Sequence, residues 1–333
     1  MNKFYRIILT LLLVVGISSV VLAQEPVRYE AKLIKKFYSM GTASINGTYY
    51  PLGNALSRLF GKKLKKMATI AEPTAGSMAN VEYLRQKRID LALMQSDVAW
   101  MAYNGSDTYA GKPFKGLRVL AALYAEKIQI VVRADSSIKS LSDLRGKKIA
   151  VGEKDSGSAA GAIQILEAAG LKAETDYEIV YERFTKSTES LLDGYVDAVY
   201  YVGAVPADGI TRLASKAPVR LIQIPMEIIT KLTTAYPYYS SEIVAADSYK
   251  GQKDEVKTLG FKALLTCTED MPWDDVITML SVMYSNPKLV SEQNEVLVEI
   301  SQEDSLKGVD PQMLHIGASK FFSLQQEHNN ASK

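Results

Sequence analysis

Residues 36–59 read KFYSMGTASINGTYYPLGNALSRL, and the periodicity changes twice within them. Phe37 to Met40 is a short strand-like run that stops at Gly41. A loop of small and polar residues follows, from Gly41 to Thr48. From Pro51 to Phe60, Leu52, Ala55, Leu56 and Leu59 then recur at helical spacing. Residues 148–169, KIAVGEKDSGSAAGAIQILEAA, repeat that order, with the loop from Gly152 to Ser158. Strand, small-residue loop and amphipathic helix make the unit of an α/β fold with parallel strands. In such folds the loops lie at the carboxyl ends of strands, where ligands bind.

The rest of the chain extends the pattern. Val81 and Leu84 mark a short helix before the apolar run Leu91–Met94. Leu117–Tyr124 and Ile128–Val132 read as two β-rich runs, Ile149–Val151 as a strand, and Ala159–Ala169 as a helix closed by Gly170. Val196–Val202, Leu221–Ile224 and Phe261–Cys267 are further strand-like runs, and most of the remainder is helical in pattern.

Length and charge narrow the function. A chain of 333 residues corresponds to about two domains. It carries 39 Lys and Arg against 37 Asp and Glu. This balance argues against a nucleic-acid partner, which selects a basic excess. One Cys and two His exclude a disulfide framework and leave no zinc ligand set, so no metal or cofactor is expected. Cys267 lies in an apolar run and reads as a buried thiol. The segment Asn2–Arg6 is basic, Ile7–Ala23 is apolar, and Val21-Leu22-Ala23 offers a cleavage site before Gln24. Residues 1–23 therefore read as a signal peptide, with an uncleaved membrane anchor as the other reading of the apolar run, a flexible lead-in at 24–34 and an exported, periplasmic mature protein. No Cys follows the apolar run, so no lipid anchor is expected there.

Two small-residue helix starts, after Gly41 and Gly152, present free N–H groups that favour an anion. Plain capping by Ser and Thr is the other reading of each start. Thr74-Ala-Gly-Ser77 is a third such turn. Gln95-Ser96-Asp97, at the end of the Leu91–Met94 strand, either points into a crevice or caps the next helix.

Gly41–Leu56, Thr74–Val81, Gln95–Val98, Leu141–Gly152, Asp193–Ala198 and Ser248–Gln252, taken in order, resemble the TAXI-type solute receptors (TRAP-associated extracytoplasmic immunogenic proteins). Ala43 and Asn46 stand where that family commonly has Gly. The resemblance implies an α/β, two-lobe periplasmic binding protein fold of type II. Its ligand cleft lies between lobes joined by two crossing strands, placed near Ala125–Ile128 and Val256–Lys262. Lobe I would be residues 35–126 plus 260–326, lobe II residues 127–259, and 327–333 a polar tail. The implied function is an extracytoplasmic receptor that binds a small organic acid, amino-acid-like or dicarboxylate. It would deliver that ligand as a monomer to the membrane subunits of a TRAP transporter.

The residues expected to hold the ligand are Ser44, Thr48 and Tyr49 from the first loop, with Ser77 and Gln95. From the second lobe come Ser156, Ser158, Tyr201 and Gly203. Arg118 and Arg133 are alternative carboxylate anchors, each with an exposed or hinge-flanking role as the competing reading. The tyrosines at 236, 238 and 239 read as packing, and Lys62, Lys63, Lys65 and Lys66 as a solvated face. Two other functions stay open. One is the receptor of an ATP-driven (ABC) importer or a periplasmic sensor, built on the same fold. The other is an exported enzyme. It is disfavoured because the Gly-x-Ser-x-Gly elbow, the P-loop and His-Glu-x-x-His are all absent. His315 also has apolar flanks.

Overall fold

The computed structural model describes residues 35–45, 47–64, 67–286 and 300–331. The expected leader and lead-in lie outside these residues, as do Asn46, Lys65 and Lys66. The chain begins with β1 (Phe37–Gly41), α1 (Tyr49–Lys63), β2 (Ala68–Glu72), α2 (Ser77–Arg85), β3 (Leu91–Gln95) and α3 (Ser96–Asn104). A long strand, β4 (Leu117–Arg133), leads to β5 (Lys148–Gly152), α4 (Gly157–Ala168), β6 (Glu178–Tyr181), α5 (Phe184–Leu192) and β7 (Ala198–Gly203). Then come α6 (Asp208–Lys216), β8 (Val219–Ile222), α7 (Met226–Ala235) and β9 (Ser240–Val244). A second long strand, β10 (Val256–Thr268), returns to α8 (Trp273–Ser285) and α9 (Ile316–Ala331). The last helix thus continues past residue 326, into the stretch read from sequence as a polar tail.

The strands join in the order β2-β1-β3-β10-β4-β7-β5-β6, with β8 added to β4 and β9 to β10. Pairing is parallel where β1 meets β2 and β3, and where β5 meets β6 and β7. The expectation of parallel pairing fails at β4 and β10, which run antiparallel to every neighbour. These two strands carry the chain between the halves of the sheet in opposite directions. Residues 117–127 of β4 lie on β10, whereas 127–133 lie on β7 and β8. In β10, residues 256–260 pair with β9 and 263–267 with β3. The two β-rich runs at 117–124 and 128–132 are therefore one continuous strand.

The apolar side chains sort into separate cores on the two sides of this exchange. Tyr38, Leu52, Leu56, Phe60, Leu265 and Leu280 pack together on one side. On the other, Ile149, Ile165, Leu166, Tyr200 and Phe261 do the same. All five residues of β3 are buried, as expected for a central strand covered on both faces. Helix α3 ends where Gly105 adopts φ 68°, a left-handed turn that glycine takes without a side-chain clash. Trp100 of α3 reaches across the seam, its ring centroid 5.5 Å from that of Tyr238. Tyr236, Tyr238 and Tyr239 pack on one another and on Phe261, matching the packing reading. Cys267 is a free, fully buried thiol, and burial holds its pKa well above the usual thiol range. Among the described residues, no helix is long and apolar enough to cross a membrane.

Candidate functional site

The carboxyl ends of β1, β2, β3, β5 and β7 surround a cavity of about 110 Å³ between the two halves of the sheet. A water molecule needs roughly 10–15 Å³ on this scale, so the space is large enough for a small metabolite.

The first-half wall is built by backbone clamps. The Thr42 carbonyl accepts hydrogen bonds from Asn80 Nδ2 at 2.7 Å and from Thr74 Oγ1 at 3.0 Å. Asn80 Nδ2 also donates to the Leu93 carbonyl at 2.8 Å, so one fully buried amide of α2 ties the β1 loop to β3. This clamp fixes Ser44 and Thr48 at the start of α1. Neither Thr48, which caps α1, nor Gly76, which caps α2, contributes a side-chain capping bond. Among the described residues no side chain caps the first N–H groups of either helix, and both loops line the cavity. Gly76 has φ 114°, and a Cβ built on it would lie 3.7 Å from Ser156 of the opposite half. Ser77 Oγ accepts from the Gln95 backbone N–H at 3.1 Å. The Gln95 side chain is 5% exposed, and its Oε1 has no hydrogen-bond partner among the described residues.

The second-half wall is arranged differently. Ser156 caps α4 with its own side chain, accepting from Ala159 N–H at 3.1 Å. Ser158 stands beside it. Gly157 abuts Gln95 so closely that a Cβ there would lie 1.9 Å from Gln95 Oε1. Gly152 has φ 104°, which folds the β5 loop over Ser156 and Ser158. Tyr201 stacks on Phe184 with centroids 3.9 Å apart. The neighbouring Tyr200 hydroxyl is buried without a partner among the described residues.

Eight of the nine residues expected to hold the ligand line this cavity: Ser44, Thr48, Tyr49, Ser77, Gln95, Ser156, Ser158 and Tyr201. Gly203 does not. It is covered by Tyr201, whose hydroxyl would lie 2.6 Å from a Cβ at position 203, and Val202 lines the wall instead. Arg118 is held away by Glu269 at 2.6 Å and by the Leu117 carbonyl at 2.9 Å. Arg133 is bound to Asp135 at 2.7 Å and to the Leu192 carbonyl at 3.0 Å. Neither arginine lines the cavity.

The residue that sequence reasoning missed is Glu126. It sits on β4 where that strand changes partners, 2% exposed, and it lines the cavity. Tyr49 donates to its Oε2 at 2.6 Å, and Tyr124 approaches Oε1 at 3.5 Å. Burial pushes its pKa up to about 8; the two tyrosine hydrogen bonds oppose that shift, and the Asp97 charge adds to it. Asp97 is fully buried near the same site and is raised to about 7 by burial. Its Oδ1 accepts from Val98 N–H at 2.7 Å, and its Oδ2 has no hydrogen-bond partner among the described residues. The remaining acid of the lining, Glu153, has an ion partner in Arg183 at 3.6 Å. Among the described residues, the lining contains no Lys, Arg or His.

A family model described as NMT1-like matches residues 40–325. The chain belongs to the NMT1-like family. Solved structures extend the comparison to the fold of this NMT1-like chain. A putative L-cystine ABC transporter protein from Listeria monocytogenes matches with a TM-score of 0.51 at 16% identity, over 81% of this chain and 99% of that one. XAC2383 from Xanthomonas citri, solved bound to ATP, matches with a TM-score of 0.51 at 12% identity, over 90% of this chain and 100% of that one. At such identities the likeness concerns the fold alone. That fold is the α/β periplasmic solute-binding architecture, with two lobes, a cleft between them and two crossing strands.

Proposed function

We infer that this NMT1-like protein is an extracytoplasmic solute receptor that binds a small organic acid in the cleft. One observation carries the reading. Uncapped helix starts from one half line the same cavity as the Gly157–Ser158 helix start of the other. Orphan N–H groups stabilise a carboxylate without a full positive charge. A ligand that touches both halves only when they meet favours the closed arrangement, because its contacts differ between the two states. In this reading residues 35–126 and 260–326 form one lobe and residues 127–259 the other. Ser44, Thr48, Tyr49, Ser77, Gln95, Ser156, Ser158 and Tyr201 contact the ligand. Among the described residues, neither a histidine nor a cysteine lines the cleft, which supports binding rather than nucleophilic catalysis. His315 packs elsewhere, with Nδ1 accepting from Gly317 N–H at 3.0 Å.

The six sequence blocks favour the TAXI type, with an apolar leader for export and TRAP membrane subunits as partners. The second reading is an ABC importer receptor, favoured by the name of the Listeria relative. Two experiments test these readings. Residues 24–333, unfolded and refolded to strip ligand, are screened by thermal unfolding against amino acids, keto acids, dicarboxylates and sugars. A ligand at 100 times its Kd adds about 2.7 kcal/mol, a shift of several degrees. Binding of sugars but no organic acid would overturn the carboxylate chemistry. Uptake in vesicles that hold the membrane subunits encoded beside this gene then separates the partners. Transport driven by an ion gradient without ATP supports the TRAP reading, and an ATP requirement supports the ABC reading.

A further inference from the structure

The polar lining of the cleft is divided by charge. Its helix starts and hydroxyls present hydrogen-bond donors to an anion, whereas Gln95 Oε1 is an acceptor. Among the described residues its charged groups are carboxylates alone, and of these Glu153 has a cation of its own whereas Glu126 has none. Its surroundings are Tyr49 from α1, Tyr124 on β4, Tyr201 from β7 and Asp97 from α3, while its partner across β10 is Phe261. Each tyrosine is raised above its ordinary range by burial and stays a neutral donor near pH 7. A buried carboxylate without a counter-ion is costly, and an ammonium group beside it removes most of that cost. Two hydroxyls donate to Glu126, which lines the cavity, and a carboxylate with up to four acceptor positions keeps lone pairs for a further donor.

We propose that Glu126 receives the ammonium group of a zwitterionic amino acid whose carboxylate lies at the helix starts of α1, α2 and α4. This rests on the receptor reading and specifies its substrate class. A dicarboxylate would instead set its second negative group in a cleft lined by no cation among the described residues, against Glu126 and near Asp97. Like charges in one buried site disfavour both ionised forms. The cavity volume agrees with an amino acid of modest size.

The same geometry predicts a proton exchange. Glu126 binds a proton more readily in the empty cleft than a free carboxylate does, and Asp97 strengthens that tendency. An incoming ammonium favours the ionised form, so binding near pH 7 releases a proton from Glu126 to solvent.

The test pairs each amino acid with its deaminated counterpart: L-alanine with propanoate, L-glutamate with glutarate, L-leucine with 4-methylpentanoate. Calorimetry on ligand-stripped protein is run in two buffers of different ionisation enthalpy. Expected is at least one amino acid that binds about 100-fold more tightly than its partner, with proton release. Glu126→Gln should lower that affinity at least 30-fold and abolish the release. Tyr49→Phe keeps the ring and the Glu126 carboxylate, so it should reduce affinity only a few-fold and keep the release. It serves as the folded comparison if Glu126→Gln is unstable. Equal or tighter binding of the deaminated acids, or an amino acid bound without proton release and unaffected by Glu126→Gln, overturns the assignment while leaving the receptor intact. If every acid of either kind fails to bind the wild type, the receptor reading for organic acids falls, and this assignment falls with it.

Discussion

Helices α2 and α4 begin with nearly the same words, Gly76-Ser77-Met78 and Gly157-Ser158-Ala159, and face each other across the cleft, yet they treat their free N–H groups differently. Ser156 bends back and satisfies one donor of α4. Gly76 has no side chain to do so, and Ser77 spends its oxygen on Gln95. The α4 start is partly self-sufficient, whereas the α2 start is left open. Similar composition at two helix ends therefore does not give similar chemistry: the atom that caps a helix is unavailable as an acceptor elsewhere. The same asymmetry extends to charge. The buried carboxylates Asp97 and Glu126 belong to α3 and to the crossing strand β4, on the α2 side of the seam.

The largest effect is expected where the two helix starts touch. Gly157→Ala puts a methyl 1.9 Å from Gln95 Oε1 and 3.1 Å from Ser77 Oγ, so either the Gln95 side chain leaves its place in the site or the halves meet less closely. Ligand affinity should fall about 100-fold, near 2.7 kcal/mol. The melting temperature of the empty protein should change little. An unchanged Kd by calorimetry would show that closure leaves more room than the contact implies.

The charge asymmetry gives the next effect. The pKa of Glu126 is raised to about 8 in the fold and that of Asp97 to about 7, so near neutral pH the folded chain holds more protons than the unfolded chain. The stability contributed by their protonated forms is fully present below about pH 4 and is lost as pH rises toward 8. Thermal unfolding of the empty protein should thus lose several degrees between pH 5 and pH 8, and less in Glu126→Gln. A melting temperature flat across that range in the wild type would show that both groups are ionised in the fold.

A smaller change follows at the open side. Ser44→Ala combined with Thr48→Ala should weaken binding at least tenfold, about 1.4 kcal/mol, and leave thermal stability nearly unaltered. Unaltered calorimetric binding would remove the first loop from the site. The smallest change belongs to the self-capped start. Ser156→Ala should cost about 1 kcal/mol of stability through the lost cap, measured by urea unfolding, and only a few-fold in affinity. A large affinity loss without destabilisation would reverse the contrast between the two helices.

Much of this arrangement was legible because loop chemistry is local. Gly41 to Thr48 and Gly152 to Ser158 announce themselves by composition, and the fold brings them to one cavity. Glu126 was hidden for the opposite reason. In Ala125-Glu126-Lys127 a charged pair reads as the exposed end of one strand and the gap before another. The continuity of β4 appears only once β10 and β7 supply partners on successive stretches. Strands β2 and β6 escaped notice because Ala68–Glu72 and Glu178–Tyr181 are short edge segments with little burial to impose a pattern. Antiparallel pairing at the crossing depends on where the chain turns back, which no local run of residues records. Gly203 does not line the cavity because Tyr201 folds over it, a side-chain detail beyond sequence pattern.

The contact between Trp100 and Tyr238 has a practical consequence. The protein has two tryptophans. Trp273 lies in α8, with the Lys320 ammonium 3.9 Å from its ring centroid. Trp100 alone of the two meets an aromatic ring carried by the opposite half, between α7 and β9. Any hinge movement that separates the halves changes the surroundings of one indole and leaves the other as an internal reference. The molecule is its own optical gauge, and the rate of a ligand-driven closure can be read from its emission without attaching a dye.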